Sequence, residues 1–352
     1  MVDDPPGPVI LTLAMRRNLR PILLMFGGVL VLGLMTLLII NTGSPTPAPV
    51  PNPNGYDDFV KAATLVTGDI YGEHSEPGLV SLRALVATNS ESLRLVRLGL
   101  SRQCALPADS VMTNVAGMMT DLARLKRLAT LIVAEGRLAE MENRFSDAAQ
   151  SYIDAIYFGN ETSRGGFVIN RLVGIACEAL GDTPLSKLAP RLDDEAARRV
   201  IAQLENLDRV GVTWEEVRRS ERRFECYQLR KGFNPLAWVT SRWQNWTSMR
   251  RAEMRNKRIA AYLRLLTTEL ALRCYRTEHG QVPTTLSQLV PKNLRRVPID
   301  PFSEKPMIYR PLGTNWVLYS IGEDGLDNGG KPVARSSIGT VAKGDIFYDS
   351  PH

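Results

Sequence analysis

Three histidines and four cysteines are spread through 352 residues, so the chain has little of the material from which metal centres and thiol chemistry are usually made. Cys104, Cys177, Cys226 and Cys274 include no CxxC pair, which excludes the common zinc-ribbon and thioredoxin-type spacings. In an oxidising compartment they would permit more than one disulfide connectivity, and their spacing does not choose among them. Cys177, inside the apolar run LVGIACEAL, reads as a small buried hydrophobe. GxSxG, HExxH, Walker A and GxGxxG are all missing, so no linear signature of a serine hydrolase, zinc protease, ATPase or dinucleotide enzyme is present. His74 lies in the loop GEHSEPG between Glu73 and Glu76, and His279 stands at a helix end before Gly280, where a cationic imidazole suits the helix dipole. The third histidine, His352, is the last residue, and no histidine has a nucleophile paired with it in sequence. The chain therefore reads as non-enzymatic, with no small-molecule substrate indicated. The enzymatic alternative is an exported protein with a dispersed carboxylate site, which leaves little linear trace. Excess charge is scarce too. A net +6 is small for this length, and nucleic-acid binders concentrate more positive charge than that.

One long apolar run dominates what is there. Pro21 to Ile40, PILLMFGGVLVLGLMTLLII, carries no charge. At 1.5 Å per residue such a helix spans the roughly 30 Å of bilayer hydrocarbon. Arg16, Arg17 and Arg20 precede it, and Lys61 is the first basic residue after it. This asymmetry places residues 1–20 in the cytoplasm, a transmembrane helix at 21–40, and the remainder outside, in the manner of a single-pass protein of a bacterial inner membrane. A cleaved signal peptide would have a shorter apolar core, about 7–15 residues, and a small-x-small site, where this chain has the proline-rich NTGSPTPAPVPNPNG. Residues 41–55 read as a semi-rigid spacer.

Residues 56–255 carry a helical period. Leu122, Leu125, Leu128, Ile132 and Val133 recur at helical intervals, and Asp193 or Asp194 is placed to cap a further helix. Between about 128 and 160, Ile132, Gly136, Ala139, Ala148, Tyr152 and Ala155 fall at the spacing of a tetratricopeptide-type helical hairpin, with the turn at Asn143–Asp147. The small residues let two helices approach, so Ala148 and Ala155 are expected to be buried. A second copy is not legible one period on, where Asn170 and Asp182 replace small apolar residues. Residues 215–258 are rich in arginine, with Trp238, Trp243 and Trp246 interleaved. Glutamates 215, 216, 221, 225 and 253 stand at pairing distance along the helix, so the reading is a solvated face with Arg218, Arg219, Arg222 and Arg223 exposed.

From about residue 256 to 352 the texture changes to one Leu- and Ala-rich helix followed by dense Gly and Pro punctuation and short β-type runs. ELALRCYRTEHGQVPTTLSQLVP (269–291), VPIDPFSEKPMIYR (297–310), WVLYSIGEDGLDNGG (316–330) and KGDIFYD (343–349) follow in that order. Gly280 and Pro283 stop the helix, Asp300-Pro301 starts a turn, and Tyr309, Trp316, Leu318 and Ile321 are β-formers able to cover it. This segment resembles the globular head of the type II secretion major pseudopilins. The resemblance implies a small α+β fold and a calcium ion in the acidic loop, with Asp324 and Asp345 at the matching positions; Asp327 and Asn328, clustered on the same glycine turn, would add to the oxygen donors, and the alternative is a metal-free polar turn whose aspartates cap backbone groups. A glycine-rich loop bearing carboxylates is chemically suited to that hard cation. The inserted Lys331–Lys343 stretch lengthens the loop, and GPVILTLAM (7–15) lacks the pseudopilin processing motif, so the head reads as a reused module. The helical part resembles uncharacterised bacterial membrane-anchored helical proteins, through SRQCALP (101–107), DLARLKRLATLIVAEGRLA (121–139) and RLVGIACEAL (171–180). The expectation is thus a mainly α chain: a transmembrane helix, a helical-hairpin domain and a C-terminal pilin-like α+β domain. Its expected partners are the membrane and other envelope proteins, with no nucleic acid. The expected role is a scaffold, and alternatively an accessory part of a secretion or pilus-like apparatus.

Overall fold

The computed structural model describes residues 49–68, 78–107, 113–231, 235–333 and 343–349. The expected transmembrane run 21–40, its flanks 1–20 and 41–48, and His74 and His352 lie outside the described residues, as do the side chains of Trp238, Trp243 and Trp246. Among the described residues no helix is long and apolar enough to cross a membrane. They are mainly helical, with one small antiparallel sheet.

Helix α1 (Gly55–Leu65) begins at Asn54, whose side-chain oxygen accepts from Tyr56 N at 3.2 Å and Ala105 N at 3.0 Å. Its amide donates to the Ala105 carbonyl at 2.9 Å, so one side chain caps a helix and ties it to the 101–107 loop. Helices α2 (Leu79–Thr88) and α3 (Ser90–Leu100) follow. Then α4 (Val115–Met141) and α5 (Phe145–Glu161) form the expected hairpin, turning at Asn143 in the left-handed region, φ 58°. Ala148, Ala155 and Tyr152 are fully buried, as the pattern of small residues requires. Gly136 faces the Tyr152 ring so closely that a Cβ there would lie 2.4 Å from Cε1.

The layering continues where the sequence did not advertise it. Helix α6 (Val168–Leu188) packs back on α5, with Gly159 against Gly174 and Gly181 against the Tyr152 carbonyl. Asn170 and Asp182, which obscure a second repeat in the sequence, are buried in α6, and Asn170 accepts from Phe167 N at 3.0 Å to cap it. Glycines 174 and 181, rather than positions 170 and 182, supply the small residues of this close packing.

Helix α7 (Asp194–Val210) is capped by Asp193, whose carboxylate accepts from Ala196 N at 2.8 Å. In helix α8 (Trp214–Lys231), Arg218, Arg219 and Arg222 are exposed as expected, but Arg223 is half-buried and donates to Ser220 Oγ at 2.8 Å. The pairing read from the spacing holds at Glu215 and not at Glu216 or Glu221. Glu215 alone serves Arg218, Arg219 and Arg222, Glu216 accepts from Thr213 N, and Glu221 accepts from Val168 N at the start of α6. Helix starts, with their unpaired N–H groups, compete for those carboxylates.

Helix α9 (Pro235–His279) runs without a break through residue 255. Its second half, including Ile259, Tyr262, Leu266, Leu270 and Cys274, is buried. It ends at Gly280, φ 69°, with His279 Nδ1 bonded to the Tyr275 carbonyl at 2.9 Å and its ring stacked on Tyr275. A hairpin of β1 (Ile308–Leu312) and β2 (Asn315–Tyr319), registered Ile308 to Tyr319, lies on α9, and Trp316 Nε1 donates to Glu269 at 2.7 Å. The DIFY run returns to it through the Ser320–Ile346 bridge. One hydrophobic cluster runs from Phe59 through Leu128, Ile153 and Leu266 to Leu318 and Ile346. All four cysteines are free thiols.

Candidate functional site

Four carboxylates organise the C-terminal loops. Asp300 is fully buried and accepts from Phe302 N (2.9 Å), Ser320 Oγ (3.0 Å) and Ile321 N (2.9 Å), so the Asp-Pro turn is fastened to the end of β2. Of the expected calcium ligands, Asp324, Asn328 and Asp345 are joined by hydrogen bonds, while Asp327 bonds elsewhere. Asn328 bridges the other two: its backbone N–H donates to Asp345 at 3.2 Å and its side-chain amide to Asp324 at 3.1 Å. Asp345, fully buried, also accepts from Gly330 N at 2.7 Å, while Asp324 accepts from Leu326 N (3.1 Å) and Gly344 N (3.3 Å). Asp327 accepts from Gly329 N (2.8 Å) and the Tyr319 hydroxyl (2.9 Å). Burial pushes the Asp345 carboxyl above its ordinary value against the pull of these N–H bonds. The Gly329 N–H, followed by the Tyr319 hydroxyl, holds Asp327 below its ordinary value. The donors facing the carboxylates are therefore mostly backbone N–H groups of the glycine-rich loop, joined by the Tyr319 hydroxyl and the Asn328 amide. Among the described residues, no group of three His, Cys, Asp or Glu side chains is placed to hold a metal ion. The donor set itself suits calcium, being carboxylates plus one amide whose oxygen would have to turn inward. Lys331 lies within the loop, and residues 334–342 of the insertion lie outside the described residues.

A second site was not legible in the sequence. Helices α6, α7 and α9 and the 295–298 segment enclose a cleft of about 380 Å³, within the size range of small-molecule sites. Leu204, Leu207, Val212, Ile259, Leu263 and Pro298 wall it. At its floor Arg171 (4% exposed) and Glu178 (1% exposed) form a buried ion pair. Arg171 Nε donates to Asn256 Oδ1 at 2.7 Å and Nη1 to Ser163 Oγ at 3.3 Å, and Asn160 donates to Glu178 at 3.4 Å. Burying two charges is costly unless the remaining donors and acceptors are satisfied, and this network satisfies them. On the rim, Asp208 pairs with Arg264 (2.6 Å) and Arg296 (2.9 Å). Glu205 gives one oxygen to the backbone N–H of Arg295 at 2.7 Å, leaving the Arg295 guanidinium at 3.8 Å from the other. Arg209 donates to Asn206 Oδ1 at 2.8 Å and has no carboxylate partner among the described residues.

No family model, curated protein or solved structure matches the chain.

The loop was found from its residues because aspartates and glycines sit together in sequence. The cleft draws on residues 160 to 298, and its one linear trace is the seven-residue spacing of Arg171 and Glu178, two turns apart on one helix face.

Proposed function

We propose that this protein is a membrane-anchored envelope scaffold of non-enzymatic type, held by the 21–40 helix with its bulk outside the cytoplasm, whose C-terminal module is a pilin-like head. The observation that carries this reading is the passage of α9 through both parts of the chain, so that the stacked hairpins and the C-terminal hairpin share one hydrophobic cluster. A head packed on such a body keeps a set orientation, as a scaffold requires. The head also exposes Leu312 and Leu326, at 59% and 65%, on the hairpin tip and the acidic loop, where another envelope protein would find apolar contact. The arginines before residue 21 and the uncharged run after it support the anchored topology.

The order of motifs between 269 and 349 favours a second reading, an accessory subunit of a type II secretion or pilus-like apparatus. In both readings the acidic loop takes Ca²⁺ through Asp324, Asp327, Asn328 and Asp345. Photo-crosslinkers at positions 312 and 326, in native membranes, test the scaffold: each is expected to yield one discrete adduct with an envelope protein. Absence of adducts at both positions, or the same adducts from an unrelated surface position, overturns it. An apparatus component as the captured protein selects the second reading. Because the head shares its core with the helical body, calcium is tested on the whole chain: Tm should rise on addition of the ion and Asp324→Ala should abolish the rise.

A further inference from the structure

The cleft between α6, α7, α9 and the 295–298 segment has a chemistry of its own. Its walls are apolar, and five of the wall residues, Leu204, Leu207, Val212, Ile259 and Pro298, are buried. Its floor is closed by a buried and internally satisfied pair, Arg171 and Glu178, which presents no net charge. Charge is instead unbalanced at the rim. Asp208 is taken by Arg264 and Arg296, and Glu205 is spent on the Arg295 backbone N–H. Two guanidinium groups therefore border an apolar hole: Arg209, with no carboxylate partner among the described residues, and Arg295, held only by a 3.8 Å ion pair to the second oxygen of Glu205. An aqueous ligand that complements this surface has an apolar body and one anionic end.

We propose that the cleft binds a small organic carboxylate, its aryl or acyl body between α7 and α9 and its carboxylate on Arg209 and Arg295. Planar guanidinium groups suit a carboxylate because two N–H donors meet two oxygens, and charge-assisted bonds are the stronger kind. The apolar body gains by leaving water against leucine and isoleucine walls, while the Arg171–Glu178 floor bounds its length. This binding is separate from the scaffold role and does not depend on the anchor or the acidic loop.

The test uses the full chain in phosphatidylcholine nanodiscs, titrated calorimetrically with 3-phenylpropionate and, separately, with the neutral 3-phenylpropanamide. The expected result is saturable binding of the acid, about 10-fold or more tighter than the amide, as one charge-assisted contact would give. Arg209→Gln with Arg295→Gln should bring the acid to the level of the amide; both residues are exposed, so the core is untouched. Leu263→Trp, which fills the cleft, should remove binding of both. An apolar tripeptide with a free C-terminal carboxylate, run beside its C-terminal amide, shows whether a peptide terminus supplies the same group; acid-selective binding of either probe supports the proposal. Equal binding of acid and amide, unchanged binding of the acid by the double arginine variant, or no binding of any probe overturns it. The comparison of acid with amide on the unaltered protein stands whether or not the tryptophan variant folds.

Discussion

Gly159→Ala probes a backbone-to-backbone contact between α5 and α6. A Cβ at 159 would lie 2.5 Å from the Gly174 carbonyl oxygen and 2.7 Å from Glu178 N, and a Cβ at 174 would lie 2.4 Å from the Gly159 carbonyl oxygen. Carbon atoms in ordinary contact sit about 3.5–4.0 Å apart, so α5 and α6 must part by roughly 1 Å to admit one methyl. Alanine gains about 0.8–1 kcal/mol of helix propensity over glycine. Overpacking a close-packed core costs about 1–3 kcal/mol, and the upper end applies because the obstacle is backbone and has no other rotamer to adopt. The net expectation is a loss of about 1–2 kcal/mol for Gly159→Ala. Gly136→Ala should cost less, because its obstacle is the Tyr152 ring, a side chain able to tilt. The double variant Gly159→Ala with Gly174→Ala should fall short of the sum, since one separation of the helices admits both methyls. Urea denaturation of the full chain followed by far-ultraviolet circular dichroism measures each difference. If Gly159→Ala is as stable as the parent or more so, propensity has won, and the glycine-to-glycine crossing is not a tight constraint on this layer.

Glu178→Ala leaves Arg171 buried without its counter-charge and should cost about 3–5 kcal/mol in the same denaturation, while Arg171→Met with Glu178→Leu should recover most of that loss; parent-like stability of the single variant would contradict the buried-pair account. Glu221, whose carboxyl burial raises above its ordinary value, makes a pH prediction. A raised folded-state value means that the native chain holds the proton more tightly, so this group's favourable contribution is complete below its unfolded value and is lost as pH rises through its folded value. Stability of the parent should therefore fall as pH rises through the window just above the ordinary glutamic acid range, and Glu221→Gln, which keeps an acceptor for Val168 N, should lack that part of the fall. Superimposable pH profiles of parent and variant would refute the assignment.

Local chemistry made much of this protein legible. Gly136, Ala148, Tyr152 and Ala155 announced a close helical hairpin because a 3.6-residue period puts Ala148, Tyr152 and Ala155 on one face of α5, where Gly136 of α4 meets the Tyr152 ring. The pair Asp193-Asp194 announced a helix start, Gly280 a helix end and Asp300-Pro301 a turn, because each works through backbone groups only a few residues away. The same locality explains why the acidic loop was found, with its aspartates and Asn328 gathered among glycines. What the sequence did not disclose depends on partners far along the chain. Glycines 174 and 181 are unremarkable until α6 lies on α5, and the glutamates of α8 look like arginine partners until helix starts claim Glu216 and Glu221. The continuity of α9 with both parts of the core, and the cleft that joins Asn160 to Pro298, exist only once the layers have packed. Periodicity and capping are short-range and survive in one dimension. A cavity and a shared core are made by which surfaces meet, and that is decided by the whole chain excluding water at once.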